Sequence, residues 1–179
     1  MTQVMRALGH PMAFTLALLM AISLALLAFT AAKNRRDNSA PTGTKRFAVA
    51  AIVLSLLFIL YVTLMPRGLG RPSTLSLIPF ADTVHSLLQP NTFQVTIVGV
   101  IGNILLFVPL GFAVAFAHGR PEAGRVPVLS AVVISILIES AQFAMNQGAA
   151  ATVDDVCANV AGAALGWLAA RRLSRTRVS

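Results

Sequence analysis

Five apolar stretches of roughly the 20 residues that a helix needs to cross a bilayer follow one another along the chain: Met12–Ala32, Phe47–Met65, Val95–Ala117, Val126–Met145 and Val153–Ala170. The first two are nearly free of polar groups and read as plain membrane spans. The other three carry polar residues that a lipid-facing helix avoids: Asn103 in the third, Glu139 and Gln142 in the fourth, Asp154, Asp155 and Asn159 in the fifth. None shows the period-two alternation of a membrane barrel strand. The pattern predicts an all-α, polytopic transmembrane helix bundle of five spans.

The connections orient the bundle. Short cytoplasmic loops collect Lys and Arg. The linker Lys33–Arg46, the turn with Arg120 and Arg125, and the tail with Arg171, Arg172, Arg175 and Arg177 hold eleven of the fourteen basic residues. Five spans place these three segments on one side, which puts the N-terminus outside and the C-terminus inside. The first apolar run exceeds a signal-peptide core and precedes a basic linker, so it is read as a retained span. The chain divides into residues 1–46, an N-terminal span with a basic cytoplasmic linker; 47–170, the membrane domain; and 171–179, a basic cytoplasmic tail. The long outer connection from Pro66 to Gln94 exceeds an ordinary structureless loop, so a short interfacial or re-entrant helix is expected within it.

Composition agrees: 56% of the 179 residues are apolar and 11% charged, against roughly 45–50% and 25% in soluble domains. In such a chain the net charge of +8 orients helices, and nucleic acid is not an expected partner. Cys157 is expected to be a small buried apolar residue, and His85 and His118 lack a second ligand at metal spacing. No cofactor motif, metal site or nucleophile triad is present in the sequence.

This topology brings Asn103, Glu139, Gln142, Asp154, Asp155 and Asn159 into one leaflet, the outer one. Residues three or four apart share a helix face. Glu139, Gln142 and Asn146 therefore line one side of the fourth span, and Asp155, Asn159, Gly162 and Gly166 one side of the fifth. Gly162 and Gly166 form the small-xxx-small pair that lets membrane helices approach closely. Gly99, Gly102 and Asn103 make a similar patch on the third span, which Pro109 and Gly111 are expected to kink or loosen. Glu139 needs a partner or a proton in the membrane. Arg67, just after the second span, is the expected partner, with Arg71 the alternative. Asp154 or Thr152 is expected to cap the fifth helix.

At these residues the sequence resembles the VanZ-like family of bacterial membrane proteins. The resemblance rests on Tyr61-Val-Thr-Leu-Met-Pro66, Leu77-Ile-Pro-Phe80, Asn103-Ile-Leu-Leu-Phe-Val-Pro-Leu-Gly111, Ile138-Glu-Ser-Ala-Gln142, and Val153-Asp-Asp-Val156 followed by Asn159, Gly162 and Gly166. These pieces lie in order between Tyr61 and Gly166. The resemblance implies a membrane protein that lowers susceptibility to glycopeptide antibiotics of the teicoplanin type. The chain departs from the family pattern after Gly148: Ala149 and Thr152 stand where the family usually has an arginine and an aspartate.

Three functions compete. The leading one is non-catalytic: a membrane protein that changes how a glycopeptide meets the outer membrane surface or a lipid-linked cell-wall precursor, with membrane lipid and a second copy of the chain as further partners. The second is a membrane enzyme that modifies a lipid or cell-wall precursor, using Glu139, Asp154 or Asp155 as acid or base. The third is a small ion-coupled transporter in which Glu139 takes up a proton.

Overall fold

The computed structural model describes residues 11–37, 42–64, 74–118, 124–145 and 150–175. They form six helices, α1 (Pro11–Asp37), α2 (Thr42–Leu64), α3 (Ala81–Leu87), α4 (Phe93–Ala117), α5 (Arg125–Ala144) and α6 (Val153–Arg175), with two three-residue strands, β1 (Thr74–Ser76) and β2 (Ala150–Thr152). The all-α bundle expected from the apolar pattern is present. Each of the five apolar stretches is a helix with ends close to those predicted.

Helices α1, α2, α4 and α5 are long and apolar enough to cross a membrane. Helix α6 has the length, 23 residues, or about 35 Å at 1.5 Å per residue. It carries Asp154 and Asp155 in its first turn and Arg172 and Arg175 in its last. Its buried face holds Asp154, Asn159, Gly162 and Gly166. That face meets protein instead of lipid, which is why it need not be apolar.

The packing alternates in direction. Leu27 of α1 meets Ala48 and Ala51 of α2 and Ala113 of α4 in one cluster. Ile59, from the other half of α2, joins Leu106, Phe107 and Leu110 of α4 and Ile138 of α5 in a second. Helices α4 and α6 share the most extensive interface among the described residues. They run parallel, because Gly162 meets Ile104 and, one turn on, Gly166 meets Val108. A Cβ at Gly162 would lie 2.9 Å from the Ile104 carbonyl carbon, and one at Gly166 would lie 2.7 Å from the Phe112 nitrogen. The small-xxx-small pair thus serves the close approach its spacing predicts.

On α4 the expected patch reaches α6 through Asn103, whose amide bonds Asp155, and a glycine beyond the patch comes closer still. Gly99 has open space around it, whereas a Cβ at Gly111 would lie 2.6 Å from the Ala163 Cα. Helix α4 runs unbroken through Pro109. Gly111 therefore provides contact with α6 and does not interrupt the helix. Cys157, expected to be buried, is exposed: Asp154 and Ala158 take the inward positions of that turn, so Cys157 points out of the bundle.

One end of the bundle gathers the end of α2, the starts of α4 and α6 and the end of α5; we call it the polar end. There β1 and β2 pair in parallel, Thr74 opposite Ala150 and Ser76 opposite Thr152. Three residues are too few to show a strand period in sequence, and the pairing exists only because the bundle brings two distant connections together. The short helix expected in the outer connection is α3. Around it Leu75, Leu77, Ile78, Phe80, Val84 and Leu88 are exposed, Leu88 by 78%. The opposite, basic end holds Lys33, Lys45, Arg46, Arg125, Arg171, Arg172 and Arg175.

Candidate functional site

The polar side chains at the polar end are explained first by the needs of helix termini. A helix leaves its first four N–H groups and last four C=O groups without internal partners, and away from water each must find one or incur a cost. Four of the site residues meet this need.

Helix α6 starts with a capping arrangement completed from outside. The Thr152 hydroxyl accepts from the Asp155 N–H at 3.1 Å and donates to Asp155 Oδ2 at 2.9 Å. In an ordinary capping box the third helical residue would accept from the cap residue's own N–H. Here the Thr152 N–H donates instead to Glu139 Oε2 of α5 at 3.3 Å. The other Asp155 oxygen accepts from Asn103 Nδ2 of α4 at 2.5 Å. Asn103, Asp155, Thr152 and Glu139 thus form a continuous chain of hydrogen bonds tying α4, α6 and α5 together at one level. All four are half-buried.

Asp154 does something different from the expected capping of its own helix. Its Oδ1 accepts from the Phe80 N–H at 2.5 Å, and its Oδ2 accepts from the Thr83 N–H at 3.2 Å and the Thr83 hydroxyl at 2.5 Å. It is the cap of α3, supplied by α6, and Thr152 is the cap of α6. The residue flanking α3, Phe80, has φ of 64° and no side-chain cap of its own. A bulky residue in the left-handed region is strained, and the charge-assisted bonds to Asp154 offset that strain. Asp154 thereby moors the exposed apolar segment to the bundle.

Gln142 turns to α2. Its Nε2 donates to the Thr63 carbonyl at 2.8 Å, in the last turn of α2. Gln142 is 4% exposed, so water does not serve that carbonyl in its place. Asn159 lies one turn below Asp155 and donates from Nδ2 to Ser135 Oγ of α5 at 2.7 Å. Its Oδ1 is buried without a hydrogen-bond partner among the described residues, and exchanging the amide oxygen and nitrogen would still leave one of them unpaired there.

The structure therefore brings Asn103, Glu139 and Asp155 into one network, places Asp154, Gln142 and Asn159 around it on separate partners, and sets Gly162 and Gly166 in the seam below. Arg67, Arg71, Asn146, Gly148 and Ala149 lie outside the described residues. Several partners carried no sequence signal: Thr63, Ser135 and Thr83 are single hydroxyl residues in apolar or mixed stretches. Thr152 is the exception, legible as a helix start from Thr-x-x-Asp.

No curated protein and no solved structure matches the chain. A family model described as VanZ/LLP1 matches residues 12–174, which covers all six helices but for the first residue of α1 and the last of α6. The four apolar helices and the polar end with its Asn103, Glu139 and Asp155 network are accordingly those of a membrane protein, and the chain belongs to the VanZ/LLP1 family.

Proposed function

We propose that the protein is a multi-pass component of the bacterial cell membrane, N-terminus outside and C-terminus inside, which lowers susceptibility to teicoplanin-type glycopeptides without catalysing a reaction. The basic end faces the cytoplasm under the positive-inside rule, so the polar end lies in the outer leaflet, where a glycopeptide meets lipid-linked cell-wall precursors. The observation that carries this reading is the bonding of the three carboxylates. Glu139, Asp154 and Asp155 each accept from a backbone N–H or a neighbouring side chain at a helix terminus. Acids engaged in this way build a rigid platform, whereas acid–base catalysis requires a carboxyl group aimed at a substrate proton. Beside the platform stands the exposed apolar segment from Leu75 to Leu88, a surface suited to the lipid part of a precursor while the polar end meets its head.

The test is expression in a susceptible bacterium, with membrane insertion verified and teicoplanin inhibitory concentrations measured for wild type, Glu139→Gln and Asp155→Asn. The expected result is a rise of more than one doubling dilution for wild type that the variants reduce in proportion to their loss of folded protein. An unchanged inhibitory concentration with inserted protein overturns the proposal. A variant that is fully folded, inert and accompanied by an altered lipid or precursor profile would instead assign catalysis.

A further inference from the structure

At the basic end, α5 and α6 meet through one aromatic ring. Trp167 of α6 packs against Gly124, where a Cβ would lie 2.6 Å from its six-membered ring. Gly124 immediately precedes α5, whose first residue is the exposed Arg125. On the other side the Arg171 guanidinium lies over the Trp167 ring, 5.5 Å from its centroid. Arg171 is half-buried, and its Nε is shielded from solvent with no hydrogen-bond partner among the described residues. Arg172 and Arg175 follow on the same helix end, both exposed.

We propose that Trp167, Arg171 and Arg125 form a site for the phosphate of an anionic phospholipid in the leaflet at the basic end. Three properties converge on that ligand. Tryptophan settles at the level of lipid headgroups. A guanidinium held over an aromatic ring keeps its planar donor fork for phosphate and is less strongly hydrated than an ammonium group. Basic clusters between helices at this depth suit anionic headgroups. The neighbouring arginines Arg125, Arg172 and Arg175 set the local charge in favour of an anion.

Trp167 is the only tryptophan in the chain, so its fluorescence reports on this site alone. The full-length protein is reconstituted into phosphatidylcholine vesicles containing increasing fractions of brominated phosphatidylglycerol or, separately, brominated phosphatidylcholine. A basic residue near an anionic surface contributes roughly a fivefold preference, so two arginines predict half-maximal quenching by phosphatidylglycerol at a mole fraction on the order of tenfold lower or more. Arg125→Gln with Arg171→Gln should bring the two curves together, and Arg171→Lys should lose part of the preference while keeping the charge. Coincident curves for the wild-type protein overturn the proposal without reliance on any variant. Inorganic phosphate is compared with chloride at equal ionic strength: equal effects support the lipid, and relief of quenching by phosphate alone assigns the site to free phosphate and overturns it.

Discussion

The α4–α6 seam makes the sharpest demand on the sequence, and Gly162→Ala tests it. The added methyl would sit 2.9 Å from the Ile104 carbonyl carbon and nearer still to its oxygen, where carbon atoms ordinarily rest about 3.5–4.0 Å apart. Backbone cannot swing aside as a side chain can, so α6 must retreat by on the order of 1 Å, and a gap of that size forfeits roughly a quarter to a half of each dispersion contact along the seam. Overpacking of this kind costs about 1–3 kcal/mol. The same retreat stretches the Asn103–Asp155 bond, now 2.5 Å. Alanine opposes this with a better helix propensity, worth about 0.5–1 kcal/mol. Gly99→Ala isolates that gain, because Gly99 sits in α4 with nothing within 4 Å of its would-be Cβ. Reversible unfolding in mixed micelles should therefore show Gly99→Ala neutral or slightly stabilising and Gly162→Ala destabilised by roughly 1–2 kcal/mol. Gly162→Ala with Gly166→Ala should cost less than the sum of the two single changes, since one retreat relieves both clashes. If Gly162→Ala matches Gly99→Ala in stability, or the double variant is additive, the close seam is refuted.

Three further changes probe the helix ends. Asp154→Ala removes the borrowed cap of α3, and hydrogen exchange should accelerate at Phe80 to Leu88 while α4 and α5 stay protected; charged hydrogen bonds of this kind are worth about 1.5–3 kcal/mol each, and uniform exchange across the bundle would contradict the mooring role. Gln142→Leu leaves the Thr63 carbonyl without its buried donor, so a loss of about 1–3 kcal/mol is expected in the same unfolding assay, and an unchanged midpoint would count against it. Thr152→Val removes the cap of α6 at a cost of about 1 kcal/mol, whereas Thr152→Ser should keep it; equal losses for the two would mean that the hydroxyl does not cap.

The long helices were legible because lipid imposes a length and a composition on any segment that crosses it, a demand that acts locally on the sequence and that α1, α2, α4 and α5 meet in full. The grouping of basic residues at one end was legible for the same reason: it depends only on the order of segments. The spacing Gly162–Gly166 announced a close approach, and the partition of Asn103, Glu139 and Asp155 to one end followed from counting spans. Partners were another matter. Asp154 reads as a cap for the helix in which it stands, yet it caps α3, 71 residues away at Thr83. Gln142 closes the end of α2, 79 residues away at Thr63. Gly111 meets α6, while the equally plausible Gly99 faces open space. The reason is physical: the requirement that a buried terminus or polar group be satisfied is written in the residue type, but a donor or acceptor of suitable chemistry exists on several helices. Only the packing of those helices brings one of them within hydrogen-bonding reach. Sequence by itself determined that this is a helical membrane bundle with its intramembrane acids, Glu139, Asp154 and Asp155, at one end and most of its bases at the other; the tertiary structure decided that those acids hold helix ends together.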